Sequence, residues 1–375
     1  MAAKESPITP SVLSWAIRQD GRTPAEVARA IHVDPTVLEG WMAGTSRPTV
    51  GQTSALAAAL HRPRVFFFLP EPPAGSALPS GFRHPPGGGD KMVGSGALLE
   101  VRRAKRLQQA VSWATREDRP PEIPFASMSQ DPEKVADLVR GWLRVPEQQV
   151  WRDDYAALNY WRAALEDAGV LVFSLRLGKD EVRGFASWDE RAPMVVLNAS
   201  TSPAVRSYTL GHELAHLTLR QATACLEPAD IVVDSDEEKW CDRFSAALLM
   251  PRSAMYELIR SAGIGFGAGG IEAVRSVMSR FRVSARAAAL RLRDLGYAEP
   301  GLYSEVLRVF VPGRTRESEQ VRSAPRPTLR LREYGQHTVA LLLGSLPPNE
   351  ALSVLRITVD DARRIADEVP GVPAF

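Results

Sequence analysis

Across residues 208–219 the apolar positions Leu210, Leu214 and Leu217 recur at i, i+4 and i+7, the spacing of one face of a helix. The same period runs through much of the chain. Residues 10–19 form a first predicted helix, with Thr9 as its N-cap. Thr23 before Pro24 opens a second, which carries Val27, Ala28 and Ile31. After a tight turn at His32 and Val33, Asp34 before Pro35 repeats the start signal. Val37, Leu38 and Trp41 then supply the buried face of a third helix, which ends at Gly44. Residues 98–115 (Leu99, Leu107, Ala110, Val111, Ala114), 131–143 (Val135, Leu138, Val139, Trp142) and 155–168 (Leu158, Trp161, Ala164, Leu165) show three further stripes, the last stopped by Gly169. The period then shortens. VLVFSL, VRGFASW and APMVVLN are brief β-branched and aromatic runs between turn residues, so a small sheet is predicted just before the helix at 208–219. The pattern is that of an α+β chain, mostly helical.

Helix, tight turn and helix near the amino terminus make an all-α helix-turn-helix domain over residues 1–75. Its predicted third helix exposes Pro35, Thr36, Glu39 and Gly40, none suited to hydrogen-bonding base edges. From Met1 to Pro73 seven basic residues face six acidic ones, no phosphate-binding footprint. Nucleic acid as a partner of this domain is therefore weakly supported, and packing, dimerisation or docking of a repressor is favoured. Residues 76–96 are rich in glycine and proline and read as a linker; His84 within it is solvated rather than a ligand. Arg102, Arg103, Lys105 and Arg106 cluster on the next helix, and a solvated face accounts for them. Residues 97–299 form the main domain. Residues 300–375 carry a polar, proline-bearing stretch, a short apolar element at 339–343 and a mostly helical end, with no assignable role or ligand. GLYSEVLRVFVPG within them fits strand or helix.

Composition adds bounds. With 375 residues, 45% hydrophobic and 24% charged, the chain is an ordinary soluble protein able to bury a sizeable core, and a net charge of +2 selects no partner class. No signal-like or membrane-spanning apolar run is visible, and the two cysteines, Cys225 and Cys241, cannot build a disulfide framework. A cytoplasmic protein with no membrane partner is expected; its oligomeric state is not legible.

The candidate chemistry lies in YTLGHELAHLTL. His212, Glu213 and His216 stand in the order His-Glu-x-x-His, and residues four apart on a helix share a face, so two imidazoles can meet one ion. Glu213 between them suits the general base of metal-assisted hydrolysis. The leucine stripe lies on another face, which leaves the histidines free. A catalytic zinc takes three protein ligands and keeps one position open. HLTLRQATA lacks the glycine and third histidine of the extended metzincin form, which excludes that class. In DSDEEKWCDRFSAALLMP, Trp240, Phe244, Ala247 and Leu248 form the apolar stripe, while Glu238 and Asp242, four apart, share another face. Glu238 is the candidate third ligand, and Asp242 the acceptor for a ligating histidine's other N–H. Glu237 competes for the ligand role although it points about 100° away. Cys241 beside Trp240 suits a small buried thiol. Tyr208, one turn before His212, is a candidate for the oxyanion or for the core. The site reads as a Glu-ligand zincin, and a His/His/Glu set accepts Zn2+ or Mn2+.

YTLGHELAHLTL and EKWCDRFSAALLMP, with GVLVFSL, VRGFASW and PMVVLN before them and FRVSARAAALRLRDLGY after, resemble the ImmA/IrrE family of bacterial metallopeptidases over roughly residues 169–297. The stretch SRPTVGQTSALAAALHRPRVFFFLPEPP resembles the end of the Cro/repressor-like domains that often precede such a peptidase. The resemblance implies that His212, His216 and Glu238 bind the metal and that Glu213 activates water. Asp242 stands where relatives often carry Asn, and Cys241 where alanine is usual. The resemblance also implies regulated proteolysis: cleavage of a protein substrate, a helix-turn-helix transcriptional repressor, in a stress or mobile-element response. The alternative is a DNA-binding transcriptional regulator whose peptidase-like domain senses metal or a partner without turnover.

Overall fold

The computed structural model describes residues 5–20, 22–73, 95–146, 150–178, 182–220, 235–265, 267–310 and 324–373. Most of the predicted linker with His84, the cysteine Cys225, and residues 311–323 lie outside the described residues. The chain divides into two compact units, Met1–Arg103 and Ala104–Phe375.

In the first unit, α1 (Pro10–Asp20), α2 (Pro24–Ala30), α3 (Pro35–Ala43) and α4 (Val50–Ala59) are followed by a 3-10 turn, Arg64–Phe68. Side-chain caps define three of the helices. Thr23 and Glu26 form a reciprocal capping box on α2, Asp34 accepts from Thr36 N on α3, and Thr49 with Gln52 caps α4. Each such cap contributes about 1 kcal/mol. Gly44 takes the left-handed conformation that stops α3. Leu13, Ile17, Val27, Leu38, Trp41, Leu56 and Phe67 make the core. Val37 does not join it. It is 39% exposed, because its direction on α3 lies about 100° from that of Leu38, which is buried.

The basic cluster of α5 (Ser95–Ala114) is not a solvated face. Arg102 reaches the buried Asp20 at 3.6 Å and donates to the Gln19 carbonyl, while Arg103 pairs with Glu100. Farther along the helix, Lys105 bonds to the Ser187 hydroxyl. Of the four, Arg106 alone is exposed.

The second unit opens with α6 (Pro132–Trp142) and α7 (Asp154–Asp167), capped by Asp131 and Asp153. Leu138, expected on the packed stripe of α6, is 59% exposed; Val135, Ala136 and Val139 carry the contact instead. Three strands follow, β1 (Leu171–Leu175), β2 (Gly184–Ser187) and β3 (Met194–Asn198), in the order β1-β3-β2. β1 runs parallel to β3 with Leu171 opposite Met194, and β2 runs antiparallel with Gly184 opposite Leu197. Every residue of β2 and β3 is buried. That burial explains the continuous apolar runs, since a strand covered on both faces shows no alternation.

On one face, Val172, Ala186, Val195 and Leu197 share a core with Leu210, Leu214 and Leu217 of α8 (Pro203–Thr218). Elsewhere on the sheet, Phe173 meets Tyr334 edge to face, with ring centroids 5.4 Å apart. Tyr334 ends the helix Arg326–Tyr334, so the carboxy-terminal region packs on the sheet. The helices Gln336–Ser345, Pro348–Leu355 and Val359–Glu368 follow it. GLYSEVLRVF resolves as a helix, α13 (Leu302–Val309), with Leu302 and Val306 in the main core. Between α8 and α13 lie α9 (Asp236–Leu249), α10 (Arg252–Ser261), α11 (Ile271–Phe281) and α12 (Ala285–Asp294).

Two arginines fix α9 from its carboxyl end. Arg140 of α6 donates to the Leu248 carbonyl at 2.7 Å, and Arg291 of α12 donates to that of Met250 at 3.0 Å while pairing with Glu133. No helix among the described residues is long and apolar enough to cross a membrane.

Candidate metal centre

The helix that carries the histidines begins earlier than its apolar stripe suggests. Ser202 caps it by accepting from Val205 N, and Pro203 occupies its first turn, a Ser-Pro start signal in the sequence. It is also buried almost all round, not along one stripe. His216 is 0% exposed because α9 packs over the face that bears the histidines, and Glu213, also 0% exposed, is covered by β2. Close approach of the two helices depends on Gly211. A Cβ there would lie 2.7 Å from Ser245 Oγ, and that hydroxyl instead donates to the Tyr208 carbonyl at 2.8 Å.

The facing turns of α8 and α9 bring His212, His216 and Glu238 together. Their ligand atoms all lie within 4.8 Å of one another. The two Nε2 atoms are 3.3 Å apart. Glu238 sets Oε2 3.0 Å from the His212 Nε2 and Oε1 3.6 Å from the His216 Nε2. A tetrahedral ion with bonds of about 2.05 Å separates its donors by about 3.3 Å. The observed separations bracket that value, so the donor set fits a metal ion.

Each imidazole has an acidic residue at its outer nitrogen. Asp242 Oδ1 lies 3.0 Å from His212 Nδ1, and the Tyr208 hydroxyl donates to the Asp242 carbonyl oxygen at 3.0 Å and reaches its carboxylate at 3.4 Å. Tyr208 is thus engaged with Asp242; burial, and then the Asp242 charge, push its pKa up and keep it a donor. At His216, Nδ1 lies 3.3 Å from Glu237 Oε1 and 3.6 Å from the Cys241 thiol. Burial opposes charge on His216, but Cys241 and Glu237 outweigh it and raise its pKa to about 10. At Cys241 burial raises the thiol pKa, against the opposing pull of His216.

Residues 165–293 match the family model of the M78 peptidases, the IrrE N-terminal-like domain. The match runs from the end of α7 through α12 and so includes all the residues named at this centre. It points to a metallopeptidase with a metal cofactor, and His212, His216 and Glu238 are the described residues whose geometry suits the ion. No curated protein matches the chain.

Glu213, one residue after His212, lies beside the sheet. A Cβ at Gly184 of β2 would stand 3.5 Å from Glu213 Cγ, 2.7 Å from the Val196 carbonyl oxygen and 2.6 Å from Thr209 Cγ2. Both Glu213 carboxylate oxygens are buried. Gly184 therefore lets the strand come down onto the helix beside Glu213, a contact that sequence spacing does not reveal. Gly184→Ala is expected to push β2 off β3 and α8, with a loss of about 1–3 kcal/mol of stability, the usual cost of overpacking. Chemical denaturation checks this, and an unchanged midpoint would show that the contact is not limiting.

Proposed function

We propose that this protein is a metal-dependent endopeptidase that cleaves a protein substrate, with His212, His216 and Glu238 as the ligands of Zn2+ or Mn2+ and Glu213 as the general base. The observation that carries this reading is the convergence of the three donors, within 4.8 Å of one another, on facing turns of α8 and α9, with Glu213 on α8 between the two histidines. Bound there, the ion would supply Lewis acidity for the scissile carbonyl and the attacking water. Glu213 would take the proton from that water and pass it towards the leaving amine. Its burial beside β2 limits the orientations its carboxylate can take.

Asp242 would hold the His212 ring by accepting its Nδ1–H, and Tyr208 would in turn steady Asp242. The substrate class we favour is a helix-turn-helix transcriptional repressor, cleaved in a stress or mobile-element response in the cytoplasm; this follows from the resemblance to the ImmA/IrrE enzymes. The amino-terminal unit would be a Cro/repressor-like helix-turn-helix domain serving substrate or partner docking. Its α3 exposes Thr36, Val37 and Glu39, which offer little to DNA.

The experiment is incubation of the metal-loaded full-length protein with a helix-turn-helix repressor encoded beside it, followed by mass spectrometry of the products. A discrete internal cut that chelation abolishes is the expected result. An intact repressor under conditions where it is free and folded would refute that substrate assignment.

A further inference from the structure

We infer that Glu237 is a positioning residue for His216: it fixes the ring for metal binding by accepting a hydrogen bond from Nδ1–H. The inference rests on the reading of His212, His216 and Glu238 as the ligand set. An imidazole that gives Nε2 to a metal must carry its proton on Nδ1, and that proton needs an acceptor when the ring is buried. His216 is 0% exposed, so water is a poor candidate. Two groups flank Nδ1: Glu237 Oε1 at 3.3 Å and Cys241 Sγ at 3.6 Å. They are four residues apart on α9 and share a face, just as Glu238 and Asp242 share the face that embraces His212.

The carboxylate is the better acceptor, since a charge-assisted bond is about twice as strong as a neutral one and a thiol sulfur accepts weakly. A bland account of Glu237 also exists. It lies in the first turn of α9, where the helix dipole favours any acid. That account leaves its orientation unexplained. Glu237 Oε1 is buried and makes no hydrogen bond among the described residues, an arrangement that is costly unless a donor faces it. The Nδ1–H that metal loading requires is such a donor, and it lies within a few tenths of an ångström of bonding distance. Glu238 and Glu237 thus bracket His216, the first on its metal side and the second behind it.

The test uses the full chain and zinc alone. Zinc affinity is measured by competition with a chromophoric chelator for the wild type, Glu237→Ala, Glu237→Gln and Cys241→Ala, with thermal unfolding of each metal-free form as the folding control. Glu237→Ala is expected to weaken zinc binding by about 10–100-fold, the usual loss for a group that supports a metal ligand. Glu237→Gln, which keeps an acceptor oxygen, should recover part of that loss, and Cys241→Ala should stay close to the wild type. In 15N-edited NMR of the zinc form, the His216 Nδ1–H signal should be protected from exchange in the wild type and lost in Glu237→Ala.

Several results would overturn the inference. Wild-type affinity in Glu237→Ala removes the role, and a loss confined to Cys241→Ala transfers it to the thiol. Loss in Glu237→Ala as complete as in Glu238→Ala makes Glu237 a ligand. If Glu237→Ala fails to fold, Glu237→Gln and the NMR signal still decide. Wild type that binds no zinc defeats the ligand-set reading itself, a result distinct from all of these.

Discussion

Glu213→Gln is expected to slow peptide-bond hydrolysis by about 10²–10⁴-fold while leaving both the fold and the metal in place. The substitution is nearly isosteric and changes a side chain that is fully buried against β2, so shape is conserved beside Gly184. What disappears is the ability to take a proton. General acid–base groups contribute about 10²–10⁴-fold to rate, and a loss in that range is the expected outcome of single-turnover cleavage with a fixed repressor substrate. Metal content by elemental analysis should match the wild type, because Glu213 is not among the three clustered ligand atoms. Retained turnover would remove Glu213 from the base role and reopen the reading of a regulator that binds without cleaving.

Glu238→Ala should have the opposite signature, loss of metal first and of activity only as a consequence. Both Glu238 oxygens face the histidine pair, at 3.0 Å and 3.6 Å from the two Nε2 atoms. Truncation leaves the two histidine ligands on one helix and removes the ligand that α9 contributes. Affinity should fall by more than the roughly 100-fold that a supporting group costs. A thermal readout follows from linkage. At a free metal concentration of about 100 times Kd, the wild type gains about 2.7 kcal/mol from binding, whereas Glu238→Ala should gain almost nothing. An equal metal-dependent rise in melting temperature for both proteins would show that the ion sits elsewhere. The same pair of measurements separates zinc from manganese, since each metal can be titrated alone.

Local signals carried much of the fold. Thr23-Pro24 and Asp34-Pro35 sit where α2 and α3 start, and Gly44 where α3 stops, because caps depend on the backbone groups of a single turn. The three strands lie where the β-branched runs place them. The misses have tertiary causes. Val37 and Leu138 are apolar but exposed, because binary pattern marks what can be buried and not which face finds a neighbour. Lys105 and Arg102 look like a solvated basic face in sequence, yet their partners are Ser187 and Asp20, each about 80 residues away along the chain. No window of local sequence contains such a pairing.

The centre divides along the same line. Spacing alone put His212 with His216, and Glu238 with Asp242, since a rise of 1.5 Å and 100° per residue makes i and i+4 neighbours whatever surrounds them. Which pair meets which, and through which nitrogen, is a property of how α8 and α9 pack. Gly211 against Ser245 sets that approach, and Gly184 brings β2 down beside Glu213. Glu237 shows the difference most clearly. In sequence it is an acid beside a better-placed ligand; in the folded chain it stands behind His216, because the neighbouring helix, absent from any local window, occupies the direction in which it points. The sequence by itself determined the donor types and their pairing within each helix, through helical geometry. The tertiary structure decided their assembly into one set and the roles of the residues behind them, because those depend on contacts between segments that only packing brings together.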